Sequence, residues 1–365
     1  MIWFQYLTFF FASFVVSWVI SRRLPARFSE LGIVDKKSLP RKIPTAGGIA
    51  IAVSFILVVA ISVFFYPEGI GDTYQRVTGL IVAAMVIALL GLYDDMYHAS
   101  PAVKLLVQIV AALILVASGL GMEKLTNPFA HASTNPGSSV LLGTWGNLLL
   151  IGWILLLTNA VNIIDGLDGL ASGICLISAM TMFTISHIFG ETALASLSLI
   201  LVGSIFGFIG QNLPPAKIYL GDTGSLFLGF VLAAISITER RKGSVTVTLL
   251  VPVIVAAIPI LDIFFSFFRR IFSWKNPFEG DELHTHHRLL SLGLSPEQIN
   301  RMIYLVSIYL GINAGVLAFF PKETTIIVMI LLAIGMLMGI EFIRSIPAKG
   351  GGKDKGKNID KIVGE

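Results

Sequence analysis

Apolar residues run through this chain in blocks of roughly 17 to 25, the length that a helix needs to cross the hydrocarbon core of a bilayer. Such blocks predict about eleven helices, near 2–20, 46–65, 77–92, 103–120, 141–158, 171–189, 193–211, 223–238, 246–268, 302–320 and 324–343. The first block ends in Arg22 and Arg23 rather than in small residues, so it is expected to stay as a span and not to be cleaved as a signal.

Composition supports the same picture. The 365 residues are 55% hydrophobic and 13% charged, against about 25% charged residues in soluble domains. The chain is therefore expected to be an all-α polytopic integral membrane protein. Residues 1–345 are expected to form one transmembrane catalytic domain, and 346–365 a basic, disordered tail. Cys175, the only cysteine, excludes an intrachain disulfide and reads as a small packed residue.

Charge then orients the helices. With the loops at 21–45, 93–102 (counting Lys104 with it), 159–170, 212–222 and 269–301 and the tail on one side, that side holds 20 lysines and arginines and the other holds 6. Positive residues favour the cytoplasm, so the N-terminus is expected outside and the C-terminus inside, in a plasma-type membrane. The cluster Arg240, Arg241, Lys242 on the outer side is a local exception.

The unusual polar stretches all fall in the inner loops: "GLYDDMYHASP" (91–101), "NAVNIIDGLDGLASG" (159–173), "QNLPPAKIYLGDTGSLFLG" (211–229) and "GDELHTHHRLL" (280–290). A transporter would place charge near the bilayer midplane. Here it lies at helix ends on one face, which favours an active site at the inner membrane surface. Asn159, Asn162, Asp165 and Asp168 recur every third residue and would drift around a straight helix. Gly166 and Gly169 predict a broken helix end that turns the four toward one point, the alternative being a polar loop with one aspartate as a helix cap. The adjacent Asp94 and Asp95 form either a solvated helix end or a pair that needs a cation. Asp222 in "GDTGS" stands either in a plain turn or in one that presents a carboxylate and free amides to phosphate; Lys217 and Tyr219 precede it. His284, His286 and His287 share a loop with Arg288. With no cysteine nearby, the carboxylates suit a hard ion such as Mg²⁺ better than zinc, and the histidines read as donors to phosphate or sugar oxygens. This set of groups suggests phosphoryl transfer between a nucleotide-activated donor and a lipid.

In order and spacing, "DD" at 94–95, "NAVNIIDGLDGLASG", "NLPPAKIYLGDTGSLFLG" and "HTHH" resemble the polyprenyl-phosphate N-acetylhexosamine-1-phosphate transferases over nearly the whole chain. The resemblance implies Mg²⁺-dependent transfer (Mn²⁺ substituting) of a sugar 1-phosphate from a UDP-N-acetylhexosamine to undecaprenyl phosphate or a similar polyprenyl phosphate, with UMP released. It implies a metal-binding role for Asp222. Asp94 and Asp95 match the catalytic pair facing the lipid phosphate and share in the metal site. Asn162, Asp165, Asp168, Asn212 and Tyr219 match nucleotide-side positions, with Tyr219 where an aromatic stacks on uracil. His284, His286 and His287 match the histidine motif of the late cytoplasmic loop, and Arg41, Lys42 and Thr45 stand where the first loop makes donor contacts; Lys217 and Arg288 are expected, from their charge alone, to help Mg²⁺ and the histidines offset the repulsion between two anionic substrates. That loop departs from the pattern, since residues 34–50 contain no histidine; its basic residues read equally as positive-inside anchors. "HTHH" is similar to the WecA and TagO branch, which favours UDP-GlcNAc, or another UDP-N-acetylhexosamine, over the UDP-MurNAc-pentapeptide of the peptidoglycan branch. A second copy of the chain is a candidate partner; no nucleic acid is expected. The rivals are a CDP-alcohol phosphotransferase, whose pattern needs an arginine that is missing after "DGLDGLA", and a transporter or flippase of lipid-linked sugars.

Overall fold

In a computed structural model, the described residues are 2–30, 43–65, 74–121, 124–126, 139–237, 289–290, 293–319 and 335. They form nine long helices: α1 (Ile2–Glu30), α2 (Ile49–Phe65), α3 (Tyr74–Tyr97), α4 (Pro101–Ala117), α5 (Thr144–Ile164), α6 (Leu170–Ile188), α7 (Thr192–Asn212), α8 (Gly221–Ile237) and α9 (Pro296–Phe319). Six of them are long and apolar enough to cross a membrane, and α2, α4 and α8 are shorter apolar helices. The architecture is that of an all-helical polytopic membrane protein. Of the expected spans, 246–268 and 324–343 lie outside the described residues apart from Gly335, as does the 346–365 tail.

Apolar character on all sides decides which helix is central. Every residue of α8 from Thr223 to Ile237 is buried, with α3 and α5 packed along it. At the rim, large apolar side chains face outward, among them Phe4, Phe64, Leu106 and Ile312. In water this would be costly; against lipid it is the expected surface. Helices with no hydrophobic drive between them associate through small residues and hydrogen bonds. Along α1, Ser17 Oγ donates to the Ser204 carbonyl of α7 at 2.6 Å and Ser21 Oγ donates to that of Gly207 at 3.2 Å.

Three features depart from the apolar-run reading. Helix α1 continues past residue 20 to Glu30, because hydropathy marks where lipid ends and not where helical hydrogen bonding ends. Helix α9 begins at Pro296 rather than 302, behind a reciprocal cap: Gln298 N–H donates to Ser295 Oγ at 3.3 Å, and Ser295 N–H donates to Gln298 Oε1 at 2.9 Å. A short antiparallel hairpin, β1 (Lys124–Thr126) with β2 (Ser139–Leu141), precedes α5; no alternating pattern announced it.

Candidate active site

The polar residues gather at one end of the bundle, where α3 and α5 end and α4 and α8 begin. The segment 44–48 is laced to the approach to α8: Tyr219 N–H donates to the Pro44 carbonyl, Gly47 N–H to that of Tyr219 and Gly48 N–H to that of Leu220, each at 2.9 Å. Glycine is required in this seam. A Cβ on Gly48 would run into the Gly224 backbone. Gly221, at φ 70°, turns the chain into α8, and a Cβ there would meet the Asp95 carboxylate.

Asp95 closes the start of that helix. Its Oδ1 accepts from the Asp222 amide at 2.9 Å and from Thr45 Oγ1 at 3.3 Å; its Oδ2 accepts from the Thr223 amide at 3.0 Å and Thr223 Oγ1 at 2.6 Å. A carboxylate from α3 thus supplies the N-terminal cap of α8, satisfying amides that would otherwise lack partners. Asp94 faces elsewhere. Its Oδ1 accepts from the Ala99 amide at 2.8 Å, and its Oδ2 pairs with Lys104 Nζ of α4 at 2.8 Å. The same ammonium lies 2.5 Å from Asp222 Oδ2, and Asp222 Oδ1 accepts from Asn162 Nδ2 at 3.0 Å. Asn162 Nδ2 also donates to Ser225 Oγ at 2.9 Å, which ties α5 to α8.

The chain breaks between α5 and α6 as the glycines imply, with Asp165 ending α5 and Gly169 left-handed at φ 79° before α6. The four polar side chains of this stretch do not converge. Asn159 turns to α4 and exchanges amide hydrogen bonds with Gln108, at 2.8 and 3.4 Å. Asp168 Oδ2 accepts from the Ala216 amide at 3.0 Å and so holds the Pro-Pro loop. Its carbonyl and that of Gly169 accept from Asn300 and Tyr304 of α9. Asn162 reaches Asp222, and Asp165 lies close enough to Asp222, Asp95 and Asp168 to feel their charges. Burial first, and then the charges of Asp222, Asp95 and Asp168, push the Asp165 carboxyl well above the usual carboxylate range.

Asn212 is 2% exposed and fully engaged: Oδ1 accepts from Ser172 Oγ at 2.8 Å and Nδ2 donates to the Ile218 carbonyl at 3.1 Å. It shapes the loop that carries Lys217, which is exposed, and Tyr219, which is half-buried. Arg41, Lys42, His284, His286, His287 and Arg288 lie outside the described residues. Lys104 is the residue that motif reading passed over; a lysine three positions into an apolar helix, behind the Ser100 cap and Pro101, was its only signal.

Among the described residues no three His, Cys, Asp or Glu side chains form a ready metal cage. Mg²⁺ keeps several waters and takes one or two carboxylates plus substrate phosphates. Two carboxylates converging on one ammonium are a donor set of that kind.

Residues 77–240 match the family described as glycosyl transferase family 4. The chain is 36% identical, over 79% of its length and 78% of the relative's, to a probable undecaprenyl-phosphate N-acetylglucosaminyl 1-phosphate transferase of Bacillus subtilis. It is 33% identical, over 77% and 75%, to a decaprenyl-phosphate N-acetylglucosaminephosphotransferase of Mycobacterium leprae. A phospho-N-acetylmuramoyl-pentapeptide-transferase of Streptococcus thermophilus is 31% identical over 67% of this chain and 74% of its own. Matching that family over residues 77–240 and a relative at 36% identity over more than two thirds of both lengths, this chain belongs to glycosyl transferase family 4.

Proposed function

We propose that this protein transfers N-acetylglucosamine 1-phosphate from UDP-GlcNAc to undecaprenyl phosphate or a similar polyprenyl phosphate, releasing UMP and starting a cell-envelope glycan. The observation that carries this reading is the meeting of Asp94, Asp222 and Asn162, from three helices, at one end of an apolar bundle. The substrates named for the Bacillus and Mycobacterium relatives favour the same lipid and sugar classes.

In the proposed step an oxygen of the lipid phosphate attacks the β-phosphorus of the donor. The bond from that phosphorus to the bridging oxygen breaks, and UMP carries the electron pair away. A phosphate monoester has a second pKa near 6, so at neutral pH the acceptor is already mostly a dianion and needs no strong base. Asp222 and Asp94 would hold Mg²⁺, with Mn²⁺ able to replace it, and the ion would offset charge on the phosphates. Asn162 orients Asp222, and Asp95 orients the first turn of α8 that carries it. Asp165 adds a crowded carboxyl whose charged form a nearby divalent ion would favour. Asp168 and Asn212 hold the loop that presents Tyr219 to the uracil face and Lys217 to phosphate. Thr45 braces Asp95, while Lys42, His284, His286, His287 and Arg288 are proposed to donate to the diphosphate and sugar. The site is placed on the cytoplasmic face, with eleven spans and the N-terminus outside, on the 20-to-6 division of basic residues.

Phospho-MurNAc-pentapeptide transfer is the second reading, favoured by the Streptococcus relative. Purified protein given undecaprenyl phosphate and a panel of UDP-sugars, with and without Mg²⁺, separates the two: UDP-GlcNAc is expected to be the best donor. Transfer from the muramoyl pentapeptide alone would reverse the assignment. No lipid product from any donor would favour transport of lipid-linked sugars.

A further inference from the structure

Each of the two carboxylates that meet at Lys104 has one oxygen committed and one oxygen on the ammonium. For Asp222, Oδ1 accepts from Asn162 Nδ2 at 3.0 Å and Oδ2 lies 2.5 Å from Lys104 Nζ. For Asp94, Oδ1 accepts from the Ala99 amide at 2.8 Å and Oδ2 lies 2.8 Å from the same Nζ. The committed oxygens are held by a side-chain amide and a backbone amide within the fold. The oxygens open to exchange are the two on the lysine. Lys104 is three-quarters buried and anchored in the first turn of α4, yet its four-carbon stem lets the ammonium move without moving the helix.

A divalent ion bound by Asp94 and Asp222 is best served by those two oxygens, because each of the other two already accepts an amide hydrogen bond. It cannot share them with an ammonium, since two cations within a few ångströms in a partly buried site repel strongly. We propose that Lys104 is a tethered stand-in for the metal: its ammonium neutralises Asp94 and Asp222 when no metal is bound, and must be displaced for the metal to enter. Lys104 thereby sets the metal affinity of the site. This rests on the proposed metal site, and it assigns to Lys104 a function that an ordinary ion pair between helices lacks.

The consequence has an unusual sign. Removing a residue that touches the site strengthens metal binding, because the competing ammonium is gone. The experiment is equilibrium binding of Mn²⁺ to the purified full-length protein, read from the electron paramagnetic resonance of free Mn²⁺ without any substrate. Lys104→Met is expected to bind Mn²⁺ roughly ten- to a hundredfold more tightly than wild type, and Lys104→Arg, which keeps the charge, close to wild type. Equal or weaker binding by Lys104→Met, with wild type binding normally, overturns the proposal and leaves the metal site standing. Absence of Mn²⁺ binding in all three proteins removes the metal site and the proposal with it. Should Lys104→Met fail to fold, the wild-type protein supplies a second reading. Acetylation of Lys104, followed by mass spectrometry, is expected to rise when Mg²⁺ is added, and an unchanged rate overturns the proposal.

Discussion

The Asp95 carboxylate lies 2.9 Å from the backbone nitrogen of Asp222, so the neighbour of one site aspartate caps the helix that presents another. Both Asp95 oxygens are filled by four donors, all of which need an acceptor. Asp95→Asn turns an amide toward those donors. It is expected to cost about 1–2 kcal/mol of stability, as loss of a helix cap does, and to lower transfer by a similar factor at every pH from 6 to 9. A variant with wild-type thermal stability, and with activity that recovers at high pH, would mean that Asp95 acts as a base and not as a cap.

Asp222 has a different duty. Its carboxylate is held between Asn162 and Lys104, and in Asp222→Asn the fold keeps its size and shape while the site loses a charged oxygen. Transfer is expected to fall at least about a hundredfold, with a weaker response to Mg²⁺. Asn162→Ala, which removes the orienting amide, is expected to cost about tenfold. Titration of activity against Mg²⁺ checks both, and a normal metal optimum in Asp222→Asn would remove Asp222 from the metal shell.

Asp165 makes the charge crowding measurable. Its carboxyl is raised in the fold by burial and by Asp222, Asp95 and Asp168, whereas in the unfolded chain it titrates near 3.9. The folded form therefore holds the proton more tightly. Its contribution is fully present below the unfolded value and is lost as pH rises through the folded one, leaving a penalty at neutral pH. Metal-free Asp165→Asn is expected to melt higher than wild type at pH 7 and about equally below pH 4. Mg²⁺ is expected to raise the melting temperature of wild type more than that of the variant. A lower melting temperature for metal-free Asp165→Asn at pH 7 would contradict the crowding.

Gly221→Ala tests the turn into α8. The residue has φ 70°, and its added Cβ would meet the Asp95 carboxylate. Left-handed backbone alone costs a side chain about 1–2 kcal/mol, and the collision adds to this. Strong loss of transfer together with lower thermal stability is the expected outcome, and a fully active, stable variant would mean that the Asp95 cap is dispensable.

The sequence showed the helices and the acidic loops better than their partnerships. Apolar runs located α2 and α6–α8 to within three residues, because lipid or burial among other helices demands uninterrupted apolarity, whereas α5 runs six residues past its expected end, to Ile164. They missed the extension of α1 to Glu30 and the hairpin at Lys124–Thr126, where no bilayer imposes a pattern. Motif spacing placed Asn159 with Asn162 and Asp165, yet Asn159 turns to Gln108, a pairing that depends on how α4 packs and leaves no local trace. Lys104 was hidden for the same reason: its two carboxylate partners are 10 and 118 positions away. The roles of Asp94 and Asp95 separate only when the helix that one of them caps is in view.

Orientation in the membrane has a direct check. Cysteines introduced at Glu68 and Thr324 in a cysteine-free background are expected to react with an impermeant thiol reagent added to intact cells. One at Ser100, the cap of α4 beside the acidic site, is expected to stay protected. Labelling at position 100 alone would put the acidic end of the bundle outside.

The central claim is that a sugar leaves its nucleotide together with the β-phosphate, and the fate of that phosphorus tests it most directly. Purified protein is incubated with UDP-GlcNAc carrying ³²P in the β-phosphate, undecaprenyl phosphate and Mg²⁺, and the lipid phase is extracted. The account predicts label in the lipid, unlabelled UMP in the aqueous phase, and loss of both in Asp222→Asn. Label retained in UDP while the sugar enters the lipid, or no lipid product at all from any UDP-sugar, would contradict it.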